Sequence, residues 1–332
     1  MTRSTTVSTV RAALALLALS LAATAAQAQA WLPAKGEGTV SMVFSNSLST
    51  KHYLPDVAYD RGHIDSNTML FDVTYGFSDR MAVTVGLPMV TARYRGAFAH
   101  RVDGVPVPND DGNWHTSAQD FRMNVRYSLA RGPIQLTPFV GTQLPSNDYP
   151  YFTHAAPGRQ LKEMLAGVST GRLFAELGLV VQGQYAFNVS QGVLDNARRY
   201  STASIESAYF VTPSLRVIGA GSGRIGHTGI DLPLAGAAAL TPDQWLHHDQ
   251  LARESYFNVG GGFAWSMTET TDLFLGYTHT VTGRNTHATD RGLSLGLSWS
   301  FGRPRGAGES LASRDSREGS LVRCVCEKKA GV

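Results

Sequence analysis

Cysteine is nearly missing from this chain. Of 332 residues only Cys324 and Cys326 carry a thiol, and two cysteines one residue apart rarely close a comfortable disulfide with each other. No histidine flanks them to complete a zinc set, so the body has neither a disulfide framework nor thiol chemistry. Long apolar runs are missing beyond the N-terminus: nothing after residue 30 approaches the ~20 apolar residues that a membrane helix needs. An excess of charge is missing too. The formal +3 belongs to the two ends, since Arg3 and Arg11 contribute +2 and the residues after Phe301 contribute +3, which leaves −2 on the body. With no basic stripe interleaved with aromatics, nucleic acid is excluded as a partner. A glycine-rich phosphate loop and a spaced Cys/His set are also lacking, so no cofactor and no metal are expected. His247 and His248 are adjacent and diverge on a helix, so chelation there would need distant partners.

What is present begins with Arg3 and Arg11, an apolar run from Ala12 to about Ala25, and Ala26-Gln27-Ala28-Gln29-Ala30. This order of charged, apolar and small-residue regions is that of a secretory signal peptide, assigned to residues 1–30, with cleavage after Ala28 or Ala30. From Gly36 onward, short segments with period-two alternation recur between turn signals. Twelve strands are read: 38–48, 66–76, 81–94, 116–128, 133–144, 159–170, 174–188, 200–210, 214–222, 254–266, 272–282 and 291–301. The fourth is the clearest, with Phe121, Met123, Val125 and Tyr127 on one face and Asp120, Arg122, Asn124 and Arg126 on the other. Thirty-four glycines suit many strands and turns.

A soluble sandwich alternates in the same way, but the connections separate the two. They run short then long: 77–80 against 95–115, 130–132 against 145–158, 170–174 against 189–199, 211–213 against 223–253, and 267–271 against 283–290. Short turns at one end, long loops at the other and an even strand count describe a transmembrane β-barrel. A backbone in hydrocarbon must satisfy its own hydrogen bonds, which without a spanning helix leaves only a closed barrel. The expected fold is therefore all-β: an antiparallel twelve-stranded barrel over residues 31–301, with short periplasmic turns and long extracellular loops. Residues 302–332, rich in Arg, Ser and Gly, read as a disordered periplasmic tail.

The last strand, Leu293 to Phe301, places Leu, Leu, Leu, Trp and Phe on one face and Ser, Gly, Ser and Ser on the other. It resembles the C-terminal β-signal of bacterial outer-membrane proteins, with Ser294, Gly296, Trp299 and Phe301 in the signal positions. Its implied partners are outer-membrane lipid, and the barrel-assembly machinery and periplasmic chaperones during biogenesis. Trp265, Tyr277, Trp299 and Phe301 suit interfacial aromatic girdles.

Charged and polar residues on the expected inward face are Asp72, Asp120, Arg122, Asn124, Arg126, Glu163, Glu176, Glu206 and Arg216. They are candidates for lining a lumen that selects solute; the alternative is a network of ion pairs that fills and stiffens a narrow barrel. Within the longest loop, 241–251 reads as a short helix with Thr241 as N-cap and Pro242 at its first position.

Three segments resemble one family. They are Tyr75-Gly76-Phe77-Ser78-Asp79-Arg80-Met81-Ala82-Val83 with Pro88 beyond, Gln119-Asp120-Phe121-Arg122 through Arg126-Tyr127, and Pro138-Phe139-Val140-Gly141 through Leu144-Pro145-Ser146-Asn147-Asp148-Tyr149. Gln119 stands where the family has Gly, and Ser146-Asn147 where it has Thr-Gly. The family is the outer-membrane barrel proteins of the phenol meta-cleavage pathway type. The resemblance implies location in a bacterial outer membrane and passage of small hydrophobic or aromatic molecules, and no enzymatic activity.

Two other readings are carried beside it. His115-Thr116-Ser117 resembles the His-x-Ser of outer-membrane phospholipases: period two puts both side chains on one face, here the outward face of Phe121, as a serine nucleophile with its base requires. Alternatively, the barrel has no transport role and its mouth is plugged by residues 223–253.

Overall fold

The computed structural model describes residues 30–302 other than Asp56. The assigned leader (apart from Ala30) and the assigned tail after Gly302, with Cys324 and Cys326, lie outside the described residues. Twelve strands form one antiparallel sheet: β1 (Gly38–Tyr53), β2 (Ala58–Ser78), β3 (Met81–Arg95), β4 in two pieces (His115–Ala118 and Asp120–Tyr127), β5 (Gln135–Pro145), β6 (Glu163–Phe174), β7 (Leu179–Val193), β8 (Asn196–Phe210), β9 (Leu215–Gly226), β10 (Ser255–Ser266), β11 (Thr271–Arg284) and β12 (Thr286–Phe301). Each pairs with its neighbours in sequence, and β1 pairs with β12 from Gly38 opposite Phe301 to Tyr53 opposite Thr286. That pairing closes the barrel and leaves no edge strand with unpaired backbone groups.

Alternation decides which side chains face out. On β1 the outward residues are Val40, Met42 and Phe44, and on β2 they are Phe71, Val73 and Tyr75, all exposed. On β12 they are Leu293, Leu295, Leu297 and Trp299, the last 50% exposed. Exposed apolar side chains on every strand make a belt that water would not tolerate and lipid would. Trp265 and Trp299 sit near the end that carries Gly38 and Phe301, here called the base. Tyr277 does not: it pairs with Gly261 and Leu293 in the middle of the wall, so it belongs to the belt. Leu295→Arg, near mid-wall, is expected to cost about 2–4 kcal/mol, read as a lowered urea midpoint for the barrel folded in lipid vesicles.

The strands run further toward the far end, the mouth, than their lipid-facing patterns do. β7 and β8 are joined by only Leu194 and Asp195, both left-handed (φ 48° and 60°), as a two-residue primed hairpin turn requires. β11 and β12 are separated by Asn285 alone, at φ 51°. The loops expected at 189–199 and 283–290 are therefore strand and tight turn. Above the belt the outward residues no longer need to be apolar, so the alternation fades while the hydrogen-bond ladder continues. Three mouth connections remain long: 96–114, 146–162 and 227–254.

β4 carries an irregularity that bears on the site. Gly86 opposes Arg122, whereas Met89 opposes Ala118, so one residue is inserted between the two pieces. Pro88 lies opposite this point on β3 and has no N–H to offer, and its carbonyl accepts the Gln119 N–H at 2.8 Å. A bulge reverses the side-chain phase of what precedes it.

Candidate functional site

The lumen is lined by alternate residues of all twelve strands. Asp72 accepts from Arg122, with Nη2 2.8 Å from Oδ2 and 3.1 Å from Oδ1. Arg126, 4% exposed, donates through Nε to Asn124 (2.9 Å), Nη1 to Ser169 (2.9 Å) and Nη2 to Gln184 (3.0 Å). Its guanidinium also lies 4.5 Å over the Phe139 ring. Asp120 is bound by the Tyr149 hydroxyl and Glu163 by the Tyr200 hydroxyl. Gln182 donates to Glu206 at 3.0 Å, and Arg216 pairs with Asp272 at 3.2 Å. A cavity of about 190 Å³ lies against β7–β10, bordered by Gln184, Ser204, Glu206, Ser222 and Asn258.

Glu176 is a correction. It lies in the exposed turn Ala175–Leu177 between β6 and β7, not on an inward strand face. Gly178 closes that turn in a left-handed conformation (φ 62°), so the strand begins only at Leu179.

The bulge corrects the placement of His115 and Ser117. Ser117 opposes Val90 and His115 opposes Ala92, both buried on the inner face of β3; opposed residues share a face. Thr116 instead faces out, its hydroxyl 2.8 Å from that of Thr91. His115 Nε2 bonds Asp111 Oδ1 at 2.8 Å, while the Ser117 hydroxyl donates to the Ala118 carbonyl (3.0 Å) and Asn147 Oδ1 (3.3 Å). Nucleophile and base are thus on the lumen side and directed at other partners.

The base of the lumen is crossed by residues 30–37. Gly36 N–H donates to Gly76 O and Gly76 N–H to Glu37 O, both at 2.9 Å, and Lys35 N–H donates to Asp79. At the other end of the segment, Ala30 is 1% exposed and its carbonyl accepts from Thr137 Oγ1 at 2.7 Å. The Trp31 ring packs directly on Gly171. β5 and β6 lie three to five strands round the ring of twelve from β1 and β2, and the Ala30 N–H reaches Gln182 of β7, six strands from β1. Strand spacing and tilt give a barrel roughly 24 Å across, and eight extended residues reach roughly 26 Å. Ala30, placed with the leader by its sequence, is thus the anchor of a strap across the lumen.

At the mouth, the three long loops fold inward. Val90, Ala92 and Tyr94 of β3 pack on Ala155, and Leu54 packs on Leu232 and Ala252. The expected helix is two short turns, α1 (Pro242–Leu246) and α2 (His248–Leu251). Thr241 caps α1 in a reciprocal capping box with Gln244. α2 is held in the mouth by Gln250 Nε2 donating to the Arg159 carbonyl at 2.8 Å.

Two clusters sit there that sequence patterning missed. In the first, Glu254 pairs with Arg159 (2.7 Å) and Arg224 (2.5 Å), and Arg224 lies 4.0 Å over the Tyr200 ring. Burial alone would raise the Glu254 carboxyl, but Arg159, Arg224 and Arg198 outweigh it and bring it down to about 2. Arg198 and Tyr200 share the phase of Glu206, a signal hidden when the strand is started at 200.

The second gathers five of the chain's ten histidines. His100 and His154 rings lie 4.2 Å apart, His100 and His248 5.2 Å, His154 and His287 5.6 Å, and His52 and His287 4.2 Å. Trp245 stacks on His248 at 4.5 Å, and Phe152 meets Trp245 edge-on at 5.8 Å. Burial lowers His154, on loop 146–162, below the ordinary imidazole range.

No protein-family model matches the chain, and no curated protein matches it either. Among solved structures, the COG4313 outer membrane channel from Pseudomonas putida F1 is similar with a TM-score of 0.63 at 13% identity, over 84% of this chain and 100% of that one. The NanC porin is similar with a TM-score of 0.47 at 11% identity, over 78% of this chain and 98% of that one. At such identities the first likeness bears on fold alone. The chain is a closed twelve-stranded antiparallel barrel of the outer-membrane type.

Proposed function

We propose that this chain is a passive outer-membrane channel that admits small hydrophobic or aromatic molecules, in the manner its resemblance to the phenol meta-cleavage type implies. Solute would partition into the loop-lined mouth and then diffuse through the lumen or leave through a gap in the wall. The observation that carries this reading is the ring-lined mouth above a polar lumen. Half-buried Trp245, Phe152 and Tyr151 offer planar faces to a planar solute, backed by the buried rings of His100 and His248, and the inward faces of β2, β4 and β9 carry charge below it. Export by the N-terminal leader and insertion directed by the last strand, β12, with Ser294, Gly296, Trp299 and Phe301 read by the assembly machinery, complete the proposal.

The test uses one preparation of refolded protein in liposomes. Uptake of small aromatic and polar solutes is measured beside release of fatty acid, with Ser117→Ala as the control. Solute flux without lipolysis supports the channel. Lipolysis that disappears in Ser117→Ala would establish an enzyme instead. The strap and the filled mouth favour one second reading, a closed structural barrel. A correctly folded barrel that gives neither flux nor lipolysis is its result.

A further inference from the structure

We infer that the mouth holds a binding site for a divalent transition-metal ion, formed by His100 and Asp110 of loop 96–114 and His154 of loop 146–162. The inference is independent of what the barrel transports. Each of the three offers one donor atom, and the three atoms lie within 4.8 Å of one another. His100 Nδ1 is 2.8 Å and His154 Nδ1 2.9 Å from the same oxygen, Asp110 Oδ2. Two imidazole nitrogens converging on one carboxylate oxygen from separate loops is the donor set of a zinc-type centre, with a further position left for water.

The carboxylate is held as a ligand is held. Its other oxygen, Oδ1, accepts from Thr153 Oγ1 at 2.6 Å and from His154 N–H at 2.9 Å. Such outer hydrogen bonds fix the direction of a metal-binding carboxylate. Oδ2 meanwhile faces three nitrogens, because the His100 backbone N–H also lies 2.8 Å away. That exceeds the roughly two lone-pair positions of one oxygen. A cation in place of the two ring protons relieves the crowding and lets the backbone N–H keep its bond.

The surroundings suit a cation. His100 and Asp110 are 5% and 4% exposed, so water competes weakly. A further imidazole, His248, stands beside His100, its Nδ1 committed to the Trp245 carbonyl at 2.7 Å and its Nε2 3.5 Å from Asp249 Oδ1. Asp110 and Asp249 together would balance a double positive charge. An ion here would tie loop 96–114 to loop 146–162 across the mouth.

The full chain, refolded and stripped with a chelator, is titrated with Zn²⁺ alone and the bound metal counted. One ion per chain is expected. His100→Gln and His154→Gln should each weaken binding at least about tenfold, while His63→Gln, exposed on β2, should not. Heat-modifiable gel mobility verifies that each variant is a folded barrel. X-ray absorption on the unmodified Zn²⁺-loaded chain decides without any variant: imidazole scatterers at about 2.0–2.1 Å are expected. No bound ion, binding of equal strength in a folded His100→Gln, or a shell of water oxygens alone would each overturn the site.

Discussion

Removing residues 30–35 raises the single-channel conductance of the reconstituted barrel at least several-fold. These residues carry the strap from Gly36 at the β2 foot across the base to Thr137 of β5 and Gly171 of β6. They take no part in the β1–β12 seam, which starts at Gly38, so the barrel closes without them. A milder variant reaches the same end. A Cβ placed on Gly171 would sit 2.5 Å from Trp31 Cη2, so Gly171→Leu should dislodge the Trp31 ring and raise conductance by less than the deletion. Planar lipid bilayer recordings distinguish these cases. If the deletion leaves conductance unchanged while cold-gel mobility reports a folded barrel, the restriction lies at the mouth and not at the base.

The second large effect is on stability. Glu254→Gln leaves Arg159 and Arg224 facing one another without their shared carboxylate, and Arg198 close by. Breaking a buried ion pair by removing one partner costs about 3–5 kcal/mol, because the cations left behind remain desolvated. The expected readout is a lowered urea midpoint together with faster protease nicking of loop 227–254. Linkage supplies an independent check. The folded-state carboxyl is depressed to about 2 from an ordinary 4.5, so its contribution is fully present above about pH 4.5. It is lost as pH falls from there toward 2. Glu254→Gln should flatten the stability profile in that window. The double variant with Arg224→Gln should lose less than the sum of the two single losses, since the pair shares one interaction.

The strand plan was largely legible because a barrel wall has different solvents on its two faces. Phe121, Met123, Val125 against Asp120, Arg122, Asn124 can be read without any tertiary information, as can Met69 to Tyr75 and Leu293 to Phe301. The same rule stops working where the strand leaves the lipid belt. At Gly192 and Arg199, and again at Gly283 and Arg284, the outward side chain has no reason to be apolar. Strand and loop then look alike in sequence, and the extended β7–β8 and β11–β12 hairpins were missed for that reason. Glu176 failed differently: Gly178 takes a left-handed conformation and ends the turn, so alternation counted back from Leu177 runs through residues that are not strand.

The inward positions of Asp72, Asp120, Arg122, Arg126, Glu163, Glu206 and Arg216 follow from period two, but their partners do not. Arg122 meets Asp72 two strands away, while Arg126, on the same face, is held by Ser169 and Gln184 from β6 and β7. Counting from Phe121 along an unbroken strand places His115 and Ser117 outward. One inserted residue at Gln119, opposite a proline with no N–H to give, turned both to the lumen.

The sequence by itself determined the class of this protein: period-two segments, no spanning helix and an even strand count leave a closed antiparallel barrel as the arrangement that satisfies its backbone in lipid. Tertiary structure alone decided what stands in the barrel and over it. The strap from Ala30 to Glu37, the Glu254 cluster and the histidine cluster join residues that are dozens to hundreds of positions apart, through loops without periodicity. A wall is built from local pairings, each repeating the last, and so leaves a repeating trace in the chain. A site built from the tips of three loops depends on where closure of the sheet brings those tips, and no spacing along the chain records that.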